Sequence, residues 1–550
     1  MPRLLHLLLV LLVGFLPASI ALGETGCDCS YADTSAGEYC TGNAVSYTRE
    51  NLTIEFEFEC DGAACACGKF ANEWDYWVAP IQSGGTVTIT RMSPDMTGTG
   101  SSLRNGAMAD PVRMDQQGFH GGSIANNILF GVTPGVVVSP PHSVNPSDLG
   151  RPSVIIKSIA RDDEHCQNPS RQCIEYYETL TVVQEPPGDV FRPPYFGTEK
   201  PMVPLSAFDD SVLSSLPEVS GLISWDDAVD TVRSPNIAPM STYRAPGQGL
   251  HARINNQTGR GYDGYVVRQL NAALLRLATE ANNQEIAKKR SLALGVAQMG
   301  IDLYHIHKNG AASDYAGYGD FTSVPCGAWP GAGGFNGGRL TPIIFSAVML
   351  GQEEWLETLN ENLKTRDGLQ CFAETGFIQR NDEGRGKGIP TFGHLNTALY
   401  FHIGDCDGRN RNCASVGGRS SASYQYYDGL ADGDPLSSTG SPTSYQRCCT
   451  LNAWLGAALA SWLTPAVMDA YPPNARHWLE FMERSKRQGD TTGDGDFGSY
   501  NSPHSNDFVT FRVRSYESPG AVPMWVAYRG CLEDGNCGGR APRPPILYVQ

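Results

Sequence analysis

Three short stretches of the sequence carry side chains able to neutralise charge or move protons. The Gly-rich run CGAWPGAGGFNGGR, residues 326–339, places Trp329, Asn336 and Arg339 on a loop that leads straight into the apolar segment LTPIIFSAVML. Further on, His394 and Asn396 open FGHLNTALYFH, and Tyr424, Tyr426, Tyr427 and Tyr445 precede Arg447 and the Cys448–Cys449 pair. Arg and Asn suit the neutralisation of a carboxylate, while His and Tyr take and return protons when their surroundings tune them. Each also has a plainer use. His394 near a helix start can satisfy backbone groups, Asn396 can cap, the tyrosines can be aromatic surface, and Arg339 can pair with Glu353 or Glu354.

A second chemistry needs two carboxylates about 5–10 Å apart, one of them kept protonated, as in glycoside hydrolysis. Asp227, Asp263, Asp320, Glu374 and Asp382 are the candidates, with Asp320 and Glu374 set apart by aromatic neighbours. Solvated loop acids are the plainer reading of each. No G-x-S-x-G elbow, H-E-x-x-H pair, P-loop or dinucleotide fingerprint occurs. His305 and His307 stand at i,i+2 and would diverge on a helix, so no metal site is expected there. The oxygen-rich loops beginning at Asp405 and Asp490 leave calcium open as a cofactor, although both lack the closing Glu of an EF-hand. A third class is non-catalytic: Trp74, Tyr76 and Trp77 in ANEWDYWVAP form an aromatic strip able to stack on sugar rings, with at least one of them facing a core. His120, in the Gly-flanked loop QGFHGG, is a further polar contact toward an inter-domain cleft.

Elements to position these groups follow from the wider pattern. The 550 residues exceed one ordinary core, and 41% hydrophobic with 18% charged residues places the chain among globular proteins. A formal charge of −17 without any basic run argues against nucleic acid and anionic membrane surfaces as partners. Residues 1–23, with Arg3 before an apolar run that ends in small residues, have the form of a secretory signal peptide. No later run is apolar enough to span a bilayer, so the mature chain is expected to be exported, secreted or periplasmic. Sixteen cysteines, all beyond residue 23, then read as disulfides, with Cys27, Cys29, Cys40, Cys60, Cys65 and Cys67 pairing among themselves. The sequons at Asn51 and Asn256 matter only where exported chains are glycosylated.

Residues 24–190 alternate with period two, most clearly in LTIEFEFEC, and predict a disulfide-stapled, β-sandwich-like module. Residues 191–204 are Pro-rich and predict a linker. Residues 205–505 carry helical periodicity, with Val266, Leu270, Leu274 and Leu277 on one stripe, and predict antiparallel helix hairpins. Residues 506–550 read as a strand-like tail. The whole is an α+β multidomain chain: a β-module followed by an α/α-hairpin toroid, an incomplete barrel.

Gly333–Leu350, Cys448–Leu463 and Met524–Gly530 resemble, in texture, exported polysaccharide lyases with an α/α toroid. The likeness covers roughly residues 225–530 and matches no diagnostic motif, and the β-module precedes the helices where many such lyases have it following. It implies β-elimination on an acidic, uronate-containing polysaccharide. Arg339 and Asn336 would neutralise the carboxylate, His394 would be the base, and Tyr426 or Tyr427 the acid. Trp329, Asn396, Tyr424, Tyr445, Arg447 and His120 would bind substrate. Hydrolysis by two carboxylates and non-catalytic carbohydrate binding are the alternatives.

Overall fold

The structure is a computed structural model that describes residues 29, 39–49, 51–97, 105–110, 136–160, 174–233, 263–308, 337–369, 371–380, 390–392, 452–480, 482 and 518–534. Eleven strands come first: β1 Cys40–Gly42, β2 Ala44–Arg49, β3 Leu52–Cys60, β4 Cys65–Lys69, β5 Tyr76–Ala79, β6 Val87–Ser93, β7 Ala107–Ala109, β8 Val136–Val137, β9 His142–Val144, β10 Ser153–Ala160 and β11 Ile174–Val182. Between β9 and β10 lies the one-turn helix α1, Pro146–Leu149, capped by the Asn145 side chain. They form a four-stranded antiparallel sheet in the order β2-β3-β6-β9 and a seven-stranded sheet in the order β1-β4-β5-β11-β10-β7-β8, whose β5–β11 pair is parallel.

Alternation explains how the sheets stack. In β3, Ile54, Phe56, Phe58 and Cys60 are buried while Glu55, Glu57 and Glu59 stay half exposed. The buried row meets Val78, Ile155, Leu180 and Val182 of the larger sheet in one apolar core. The opposite face of the larger sheet is covered as well. Val154 and Ile156 of β10 and Tyr177 of β11 join a second core with the helices. Strands β10 and β11 are therefore buried on both sides, which is why β10 reads as the near-continuous apolar run SVIIKSIA. Disulfides Cys29–Cys67 and Cys60–Cys65 tie the module.

The helices that cover this face are α2 Trp225–Arg233, α3 Asp263–Leu277, α4 Ile286–Lys308, α5 Leu340–Met349, α6 Glu353–Asn362, α7 Arg366–Leu369, α8 Ala373–Phe377, α9 Asn452–Leu463, α10 Pro465–Ala470 and α11 Ala521–Asp534, with a short ribbon of β12 Ile378–Arg380 and β13 Pro390–Phe392. They do not make the expected α/α toroid. Sequence neighbours α3 and α4 are not each other's main partners: α3 packs mainly against α9, and α4 against α5. Helix α4 is buried at every residue from Leu292 to His307, so it is an interior helix rather than a one-faced wall of a ring. The result is three layers, small sheet, large sheet and helices. None of the described helices is long and apolar enough to cross a membrane.

Two further expectations change, and the Pro-rich stretch 191–204 is well packed: Phe191, Arg192, Tyr195, Phe196 and Lys200 are buried in it. Prolines limit the backbone, but the aromatic and charged residues between them decide the burial. Trp74, Tyr76 and Trp77 are all buried and present no sugar-stacking surface. The segment Ala521–Asp534 is a helix, because its Trp525 and Met524 bury into the helical core instead of pairing on a sheet edge.

Arg192 holds the layers in register. It bonds Asp75 at 2.6 Å, where β5 begins, and Asp302 of α4 through both terminal nitrogens. Burial opposes its charge, but Asp302 and Asp75 outweigh that and hold its pKa above the usual guanidinium range. Asn72 and Thr179 complete Asp75, and the Tyr195 amide completes Asp302. Arg192→Leu strands two buried carboxylates, and the expected loss is about 3–5 kcal/mol of unfolding free energy. Chemical denaturation measures it; a loss below about 1 kcal/mol would show that the triad does not hold the layers together.

Candidate functional site

Of the residues expected to bind a uronate glycan or cleave it by elimination, only Arg339 lies among the described ones; of the candidate acids, Asp227, Asp263 and Glu374 do. Trp329, Asn336, His394, Asn396, Tyr424, Tyr426, Tyr427, Tyr445, Arg447 and His120 lie outside the described residues, as do residues 1–23, the two oxygen-rich loops, Asp320 and Asp382. Arg339 is buried at the point where the Gly-rich run enters α5.

Two glycines shape this entry. A Cβ at Gly337 would sit 2.3 Å from the indole nitrogen of Trp454, so only glycine lets the chain pass α9 there. Gly338 has φ +80°, a conformation that strains any residue with a side chain. With the backbone so turned, the Gly338 amide donates to Glu374 Oε1 at 2.5 Å. Arg339 itself supplies no side-chain cap to α5 and donates to the Gly337 carbonyl. Glu374, arriving on α8, thus serves the open amides at the start of α5 from another part of the chain.

The carboxyl of Glu374 is 1% exposed, and its Oε2 has no hydrogen-bond partner among the described residues. Burial raises its pKa above the ordinary carboxylate value. The Gly338 amide and the Arg339 charge pull the other way without cancelling it. Beside it Tyr471 links Thr341 of α5, at 2.7 Å, to Ser461 of α9, at 3.2 Å. Burial raises the Tyr471 pKa, and the nearby Glu374 charge adds to the rise. Trp478 meets both Trp454 and Tyr471 with ring centroids 6.2 and 6.1 Å apart. Arg339 and Glu374, which the sequence placed in two different chemistries, are therefore neighbours.

Other candidates find structural partners. Asp227 forms a reciprocal pair with Ser224 at the start of α2: the Ser224 hydroxyl donates to it at 2.7 Å, and the Asp227 amide donates back at 3.1 Å. That is a capping arrangement. His305 lies edge-on to Tyr304 and Trp355, whereas His307 stacks on Phe372 and meets Asn362 at 3.0 Å. Burial, aided by Lys308 and Lys200, pushes the His305 pKa down to about 3. Tyr471, Thr341, Ser461 and Trp454 were not foreseen. The one signal for Trp454 was the pair of glycines, which needs a bulky neighbour to explain it.

Because its folded pKa is raised, Glu374 binds its proton more tightly in the native state. Its contribution to stability is present below the ordinary carboxylate pKa and is lost as pH rises through the folded value. Glu374→Gln is expected to flatten that part of the stability–pH profile, and Gly338→Ala to destabilise by at least about 1 kcal/mol through positive-φ strain. An unchanged profile in the Gln variant would contradict the assignment. No family model matches the chain, and no match to it was found among curated proteins or solved structures.

Proposed function

We propose that the protein is an exported enzyme that cleaves a polysaccharide, with Glu374 as its proton donor. The observation that carries this reading is the division of labour within one buried carboxyl. Oε1 is engaged by the Gly338 amide, while Oε2 has no partner among the described residues and belongs to a group whose pKa is raised by burial. A carboxyl of this kind is protonated over a wider pH range, as a general acid requires. Arg339, fixed beside it, limits the rise and keeps the group able to re-ionise. Hydrolysis then requires a second carboxylate to activate water or to attack the sugar, a role for which Asp320, Asp263 and Asp382 are the remaining candidates and Asp320 the one with aromatic neighbours.

β-Elimination on a uronate glycan is the second reading, favoured by Arg339 at the end of the Gly-rich run. There Arg339 and Asn336 would offset the substrate carboxylate, His394 would take the proton, and Tyr426 or Tyr427 would return one. Arg339 is buried and donates to the Gly337 carbonyl, which leaves less of that cation for a substrate and puts elimination second. Non-catalytic binding through Trp74, Tyr76 and Trp77 loses its support with the burial of all three.

A panel of alginate, pectate, hyaluronan, ulvan and neutral glycans separates these readings. New reducing ends without unsaturated-uronate absorbance, lost by at least about 10²-fold in Glu374→Gln, is the expected result. Absorbance that survives in that variant would move the assignment to elimination, and no product from any glycan would sink both.

A further inference from the structure

Another buried acid lies where β2, β11 and α2 meet. Glu178 is 2% exposed and shares a face of β11 with Tyr176, Leu180 and Val182, so it points into the apolar core between the sheets. The Tyr176 hydroxyl donates to it. From the last turn of α2, Arg233 brings its Nε to 3.9 Å. Arg49 of β2 donates to the Asp230 carbonyl at 2.6 Å and stands 3.7 Å from the Asp230 carboxylate, with its guanidinium 6.0 Å from the Tyr176 ring centroid. Two ionic contacts, one from each sheet, thus fasten the C-terminal turn of α2 to the sandwich. Among the described residues, the other charged and titratable groups around Glu178 are Asp75, Tyr47 and Tyr177, with Lys157 directly opposite it on β10.

We propose that Glu178 is a pH-operated latch for α2: with the carboxyl protonated the helix stays docked on the sandwich, and ionisation loosens its C-terminal turn so that water reaches the charge. Two effects oppose each other. Ionised Glu178 gains from Arg233, Tyr176 and Arg49, which favours docking at high pH. Burial disfavours the same charge and is the larger effect, since the pKa stands at about 7, well above the ordinary carboxylate value. Lifting the turn hydrates the carboxyl and returns its pKa toward that ordinary value. The docked state therefore binds the proton more tightly, is favoured at low pH, and is weakened as pH rises through about 7.

Amide hydrogen exchange on the full chain, corrected for intrinsic rates and run from about pH 5.5 to about pH 8.5, tests this, with α4 as internal reference. Protection of residues 225–233 is expected to fall by at least about tenfold across the range, the equivalent of one unit of pKa difference between docked and loosened states. Glu178→Gln, of the same shape and unable to ionise, should abolish the fall. Tyr176→Phe removes a donor that favours the ionised form, so it should keep the fall and move its midpoint to higher pH. This second variant serves even if the Gln variant fails to fold. An equal fall in Glu178→Gln would assign the transition to another group, Lys157 first, whose pKa burial lowers to about 8. That result, pH-independent protection in the wild type, or an unmoved midpoint in Tyr176→Phe would each overturn the latch.

Discussion

One arginine between two aspartates sets the arrangement of this molecule. Arg192 is buried, and so are Asp75 and Asp302, so no member of the triad can turn to water for compensation. Removing charges from water is costly, and such a group persists only where geometry and additional hydrogen bonds are nearly complete. Asn72, Thr179 and the Tyr195 amide supply those bonds, and Gln298 of α4 donates to the Arg192 carbonyl at 3.1 Å. The start of β5, the Pro-rich stretch and α4 are thereby held to one another. Close packing reinforces the same junction: a Cβ at Gly295 would lie 2.4 Å from Val232 and 2.8 Å from Trp74. Sheet, α2 and α4 meet there with no room for a methyl group.

From this anchored α4 the candidate site is positioned by a second close approach. Gly300 faces Ser346 of α5, whose hydroxyl donates to the Ala297 carbonyl at 2.7 Å. The contact draws α5 against α4. Glu374 meets the amides at the start of α5, and Tyr471 braces it from α9. Two of the buried acids, Glu374 and Glu178, have raised pKa values for one shared reason: burial outweighs the cations beside them. One lies where the Gly-rich run ends and the other where a helix is fastened to a sheet. Similar electrostatics serve different ends according to what each carboxyl faces.

Local pattern made much of the β half legible. Alternation in LTIEFEFEC marks the buried and half-exposed rows of β3, and two pairs within the expected set of six N-terminal cysteines, Cys29–Cys67 and Cys60–Cys65, are disulfides. The helical half was legible only as helices. Ala272 through Leu275 are buried as a block, so the stripe read through Leu270, Leu274 and Leu277 gives one face where α3 has several. The apolar segment that begins at Leu340 ends as α5, and a turn at Gly351, whose φ is +59°, separates it from α6. At the site, Arg339 and Glu374 were each marked by their neighbours in sequence, yet nothing in either stretch pointed to the other.

Sequence alone determined the alternation of β3, the helical character of the segments between residues 263 and 308, and that the N-terminal cysteines pair among themselves. Those properties follow from a residue and its near neighbours, through sterics and periodicity. Tertiary structure decided that the helices form a layer on the sheet instead of a ring, that Trp74, Tyr76 and Trp77 face inward, and that Glu374 reaches the amide of Gly338. Apolar periodicity reports that a face must be covered but not by what. Covering partners here come from residues far apart in the chain, and only the folded packing chooses among them.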